Sequence, residues 1–111
     1  MAKVIKCKRG DTLAIPFRFT EVEGGVAPLD GVTFRLQVRN QAKEVVADLP
    51  ALGQGLELDA ENGLVTAVIE PEITRTFLLQ KHYTDLEVTY PSGWVDSSET
   101  VTLDIEEDQT V

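Results

Sequence analysis

A chain of 111 residues, 42% of them hydrophobic, is sized for one domain around one core. No apolar run approaches the roughly 20 residues that span a bilayer, so no membrane partner is expected. Nineteen Asp and Glu against ten Lys and Arg leave a net charge of −9, which argues against nucleic-acid binding through a basic surface. The N-terminus, Met1-Ala2-Lys3-Val4-Ile5-Lys6, returns to charge too soon for the apolar region of a signal peptide. The lone Cys7 has no partner for an internal disulfide, which fits assembly in a reducing cytoplasm.

Taken in chain order, the sequence alternates with a period of two. A short strand is expected at Val4–Lys8, and Arg9-Gly10-Asp11 turns it. Leu13, Ile15, Phe17 and Phe19 then alternate with Ala14, Pro16, Arg18 and Thr20, giving one face to a core and the other to water. Pro16 cannot donate to a ladder, so this strand is expected at a sheet edge or at a bulge. Glu23-Gly24-Gly25 and Pro28-Leu29-Asp30-Gly31 punctuate the connection to Val32, Phe34, Leu36 and Val38, spaced by Thr33, Arg35, Gln37 and Arg39. Weaker strands are expected at Glu44–Leu49 and Leu56–Asp59. Asn62-Gly63 follows as a hairpin signal, because both residue types tolerate positive φ. Val65, Ala67 and Ile69 resume the pattern.

Pro71 to Leu78 breaks it. Pro and an acid open the segment, and Ile73, Phe77 and Leu78 recur at i, i+4 and i+5, so a helix of one to two turns is expected across the end of a sandwich. Leu86, Val88 and Tyr90 follow, Pro91-Ser92-Gly93 turns the chain back towards Trp94 and Val95, and Val101, Leu103 and Ile105 close it. The reading is an all-β, antiparallel sandwich occupying residues 1–111 as a single domain. Its expected core is Leu13, Ile15, Phe17, Phe34, Leu36, Val38, Val65, Ile69, Leu86, Val88, Leu103 and Ile105.

Charge is segregated along the chain. Residues 1–9 carry Lys3, Lys6, Lys8 and Arg9 and no acid, whereas residues 82–111 carry Asp85, Glu87, Asp96, Glu99, Asp104, Glu106, Glu107 and Asp108 and no Lys or Arg. Two readings follow: terminal strands that pair with each other or face solvent, or complementary ends that guide contact between subunits. On the second, Lys3, Lys6, Lys8 and Arg9, together with Trp94, form the candidate interaction surface.

Catalytic and metal readings each meet a simpler structural one. His82 is the only histidine and no Gly-x-Ser-x-Gly elbow accompanies it, so a strand-start or surface position is expected. Cys7 sits among lysines, which lower a thiol pKa, but it falls in a short alternating strand. Nineteen acids guarantee close carboxylate pairs without implying a glycosidase, and 6% aromatic residues leave few sugar platforms. Asp59-Ala60-Glu61-Asn62-Gly63 offers oxygen ligands for Ca²⁺ but lacks the spacing of an EF-hand loop, and a hairpin turn accounts for it. Arg9-Gly10-Asp11 spells an adhesion tripeptide, but three residues match easily by chance and the turn between two strands accounts for Gly10 on its own. No enzyme activity, cofactor or metal is expected.

The order of the motifs points further. Arg9-Gly10-Asp11-Thr12 opens a strand ending Pro16-Phe17-Arg18-Phe19-Thr20, and Pro28-Leu29-Asp30-Gly31 leads into Val32 to Arg39. Asn62-Gly63-Leu64-Val65-Thr66, Pro71-Glu72-Ile73-Thr74, Tyr83 to Val88, the Pro91-Ser92-Gly93 turn and a closing strand Thr100–Ile105 complete the series. This order resembles the small immunoglobulin-like domain of tailed-bacteriophage structural proteins, notably the N-terminal domain of upper baseplate proteins. It departs where that pattern places Leu-Ser/Thr-Gly-Ala after the second turn, since Asp30-Gly31 runs straight into Val32. The resemblance implies an immunoglobulin-like sandwich of about 7–9 strands with one short helical turn near residues 71–78. It also implies a virion component in a baseplate, tail, neck or capsid, assembled in the host cytoplasm. Its partners would be other phage structural proteins, and copies of itself within the particle. The alternative is an immunoglobulin-like module for a carbohydrate or host receptor, whose mark would be an exposed cluster of Trp94, Tyr83 and Tyr90.

Overall fold

The computed structural model describes residues 3–19, 29 and 31–107. Among these residues nine strands and one helical turn follow in order: β1 Lys3–Lys8, β2 Leu13–Arg18, β3 Thr33–Arg39, β4 Val45–Leu49, β5 Leu56–Asp59, β6 Leu64–Ile69, α1 Pro71–Thr74, β7 Lys81–Thr89, β8 Val95–Ser97 and β9 Val101–Glu106. One sheet has the order β1-β9-β7-β3-β4, with β8 also paired to β7, and the other has the order β2-β6-β5. The grouping of β2, β6 and β5 against β3, β7 and β9 reproduces the B, E, D and C, F, G sheets of an immunoglobulin-like sandwich. The Glu23-Gly24-Gly25 turn, Thr20, Pro28, Asp30 and Asp108 lie outside the described residues.

The alternating pattern becomes the core directly. All twelve expected core positions are buried, and Leu29, Val32, Leu49, Leu56, Phe77 and Val101 join them in one cluster. Pro16 lies on β2, the edge of the three-stranded sheet, where a missing N–H costs no internal ladder bond.

One expectation is corrected and three are sharpened. The ladders are antiparallel except one, because β1 runs parallel to β9, with Lys6 opposite Asp104 and Lys8 opposite Glu106. Parallel neighbours need a long intervening connection, and here that connection is most of the chain. The first and last strands thus pair, as the charge pattern of the termini allowed. The helix closes after one turn at Thr74, and Thr76 and Phe77 bond back three residues to Ile73 and Thr74. The tighter winding breaks the helical period, so Phe77 points into the core while Leu78 is left 55% exposed. In the Asn62-Gly63 turn only Gly63 takes positive φ, and Asn62 Nδ2 donates to Asp59 Oδ2 at 2.8 Å. Finally, His82 occupies a strand start but is wholly buried rather than at the surface.

Candidate protein-interaction face

Strands β3 and β7 run antiparallel through the centre of the larger sheet, and their register sets Arg35 opposite Glu87, Gln37 opposite Asp85 and Arg39 opposite Tyr83. These side chains share the solvent face because the residues between them, Leu36, Val38, Thr84 and Leu86, are buried. Two open depressions lie along this face. The larger, about 200 Å³, is lined by Gln37, Arg39, Tyr83, Thr84, Asp85 and Thr100. The smaller, about 70 Å³, is lined by Arg35, Gln37, Asp85 and Glu87.

The two arginines of β3 are held in place. Arg35 grips Asp48 with Nε to Oδ1 at 3.3 Å and Nη2 to Oδ2 at 3.1 Å, and this pairing raises the guanidinium pKa above its ordinary value. Arg39 donates to the Gln37 amide oxygen at 3.2 Å and to the Lys43 carbonyl at 2.9 Å. Fixed guanidinium groups beside a half-exposed tyrosine form a polar, preorganised platform suited to contact with another protein.

The five residues singled out from the sequence do not converge on it. Lys6 and Lys8 lie on β1 of the same sheet and share its solvent face with Asp104 and Glu106. Lys3 lies on the opposite parity, exposed beside Val101, and Arg9 is exposed in the turn after β1. Trp94, 68% exposed, sits at the far end beyond the Thr89–Val95 pair. From Lys81, next to Asp104, to Thr89 is eight strand steps, or roughly 26 Å. The aromatic cluster of the carbohydrate reading is likewise dispersed. Tyr83 is 39% exposed near one end of β7, Trp94 projects at the other, and Tyr90 packs against the core.

The two side chains that a nucleophilic mechanism would use are both in the core. Burial, then the nearby Asp11 charge, raises the Cys7 thiol pKa above its ordinary value. His82 stacks on Phe77 with ring centroids 4.9 Å apart, and its Nδ1 lies 3.1 Å from the Gln80 carbonyl. That contact selects the tautomer with hydrogen on Nδ1, leaving Nε2 buried without a hydrogen-bond partner. Burial therefore lowers its pKa, only partly offset by the Gln80 carbonyl. The Asp59 carboxylate is engaged by Asn62 within the hairpin turn, and among the described residues no group of three or more His, Cys, Asp or Glu could hold a metal ion.

No family model and no curated protein matches the chain. Solved structures do. The chain is similar to the N-terminal domain of phage TP901-1 ORF48, with TM-score 0.62 and 17% identity over 94% of this chain and 85% of that one. The immunoglobulin-like domain inferred from the motifs is thus matched by a phage domain almost end to end. A second similarity is to CopC from Methylosinus trichosporium OB3b, with TM-score 0.54, 12% identity, and coverage of 99% of this chain and 88% of that one. At these identities the likeness is one of fold.

Proposed function

We propose that the protein is a structural or assembly component of a bacteriophage virion, acting through protein–protein contacts in a baseplate, tail, neck or capsid. The observation that carries this reading is the match in fold to the phage TP901-1 ORF48 N-terminal domain over 94% of the chain. The preorganised platform on β3 and β7 supports it, since fixed arginines flanked by acids and a tyrosine suit specific contact with other structural proteins. The strongly acidic balance favours protein partners over nucleic acid. The carbohydrate reading is disfavoured by the separation of Trp94 from Tyr83, six steps or roughly 20 Å along β7.

Mass spectrometry of particles purified from the host provides the test. The protein should be present in fixed ratio to the known structural proteins through successive density gradients. Its loss from particles while remaining abundant in the lysate would overturn the assignment.

A further inference from the structure

Sheet edges expose unpaired backbone groups and are the natural sites of association between β domains. This sandwich has two lateral sides. On one, β1 and β2 are the edges of their respective sheets and are joined by the short turn Arg9–Thr12, where Asp11 N–H donates to the Lys8 carbonyl at 3.0 Å. On the other, β4 and β5 are the edges, drawn together where Gly55 packs against the Leu49 side chain. The charges of the two sides are opposite. Strands β1 and β2 carry Lys3, Lys6, Lys8 and Arg18 and no acid, all four exposed. Strands β4 and β5 carry Asp48, Glu57 and Asp59 and no base, all three exposed.

Local pairing leaves this contrast standing. Lys6 and Lys8 have Asp104 and Glu106 as neighbours on β9, but these lie one strand inward, and Asp104 also faces Lys81 on its other flank. Asp48 is held by Arg35, so Glu57 and Asp59 supply most of the acidic character of the second side. Each side also exposes apolar surface: Val4, 59% exposed, on the first, and Val45, Leu52 and Leu58, 36–44% exposed, on or beside the second.

We infer that the β1/β2 side of one copy docks laterally on the β4/β5 side of a second copy of this chain. Like charge opposes the two symmetric alternatives, basic side on basic and acidic on acidic, and the head-to-tail contact alone brings opposite charges together. A contact of this heterologous kind leaves one free side at each end, so it builds rings or open rows rather than a closed dimer. Pro16 removes a ladder donor from β2, which leaves β1 as the edge with its row of backbone donors intact on the basic side. The inference concerns the chain in solution and does not depend on whether particles contain it.

Sedimentation of the wild-type protein at low ionic strength should give a weight-average mass that climbs with concentration above the 12.2 kDa monomer and returns towards it as salt is raised. Reversing the basic side (Lys3→Glu, Lys6→Glu, Lys8→Glu) or the acidic side (Glu57→Lys, Asp59→Lys) should each abolish the climb, with circular-dichroism melts confirming the fold. Mixing the two variants should restore association, because one then has two acidic sides and the other two basic sides. A wild-type mass fixed at the monomer value at low salt would overturn the inference. So would association that survives either reversal, or a mixture of folded variants that stays monomeric.

Discussion

Thr74 is the buried residue through which the helical turn grips the opposite end of the chain, and replacing it with Val removes only the hydroxyl. Its Oγ1 donates to the Asp11 carbonyl at 2.7 Å, with a weaker approach to the Pro71 carbonyl at 3.3 Å, and accepts from the Gly10 N–H at 3.2 Å. Thr74→Val therefore strands two backbone groups in the turn between β1 and β2. A net hydrogen bond is worth about 1 kcal/mol, and a buried polar group left unpaired costs about 1–3 kcal/mol. Asp11 is exposed, so water can replace part of what its carbonyl loses, and the expected total is about 1–3 kcal/mol. For a domain of this size that lowers Tm by roughly 4–12 °C. Thr74→Ser keeps the hydroxyl and loses one methyl, about 0.8 kcal/mol. Thermal melts of the two variants side by side provide the assay. Equal losses for Ser and Val, or a Val variant as stable as the wild type, would show that packing rather than hydrogen bonding holds this corner.

Leu36→Ala, at a fully buried site in the centre of β3, should cost about 2–5 kcal/mol in chemical denaturation, while Thr33→Ala on the exposed face should stay within about 0.5 kcal/mol. His82 gives a pH signature: its folded pKa is lowered, so stability is complete above the unfolded value of about 6.5 and is lost as pH falls below it, when the unfolded chain takes up a proton that the folded one resists. His82→Leu should flatten that slope without stranding the Gln80 carbonyl, which still accepts from Ile105 N–H at 3.2 Å, and an unchanged slope would place the titration elsewhere. Gly55 and Gly53 both take positive φ, but a Cβ on Gly55 would meet the Leu49 side chain and one on Gly53 would meet nothing within 4 Å. Melts should show Gly55→Ala as the more damaging by about 1 kcal/mol or more, since Gly53→Ala carries backbone strain alone. Melts with and without EDTA should overlay, and a drop of several degrees on chelation would revive the Ca²⁺ reading of the Asp59–Gly63 turn.

The inward faces were legible from the sequence because a sheet with one solvated side writes its burial as strict alternation, as Phe34, Leu36 and Val38 do against Thr33, Arg35 and Gln37. What alternation does not carry is which strand lies beside which. The platform on β3 and β7 is invisible for that reason: Gln37, Arg39, Tyr83, Asp85 and Thr100 look like solvated positions on separate strands until the register sets them side by side. Thr74 and His82 escaped for a related cause. A threonine and a histidine carry no apolar signal, and the groups that make burial tolerable include Gly10 and Asp11, over sixty residues away from Thr74. The Asn62-Gly63 pair marked the hairpin correctly but not its form, because four residues separate Asp59 from Leu64 and only the last needs positive φ.

The junction of β8 and β9 shows how one residue decides which face of a strand reaches the core. Both strands pair with the same side of β7, Val95–Ser97 opposite Thr89–Glu87 and Val101 opposite Thr84. Between these pairs β7 has two residues, Asp85 and Leu86, and the facing chain has three, Ser98, Glu99 and Thr100. The extra residue is a bulge, and it inverts the parity of everything after it. Before it the odd-numbered Val95 and Ser97 face solvent; after it the odd-numbered Val101, Leu103 and Ile105 are buried and Thr102, Asp104 and Glu106 face out. Ser98 makes the break tolerable. Its N–H donates to the Leu86 carbonyl at 2.9 Å and its Oγ accepts from the Leu86 N–H at 2.8 Å, so Leu86 keeps both bonds while the chain shifts by one. The shift carries Thr100 to the rim of the larger depression. It also sets Asp104 and Glu106 outward beside Lys6 and Lys8, so the inverted parity that completes the core also decides which charges border the basic edge.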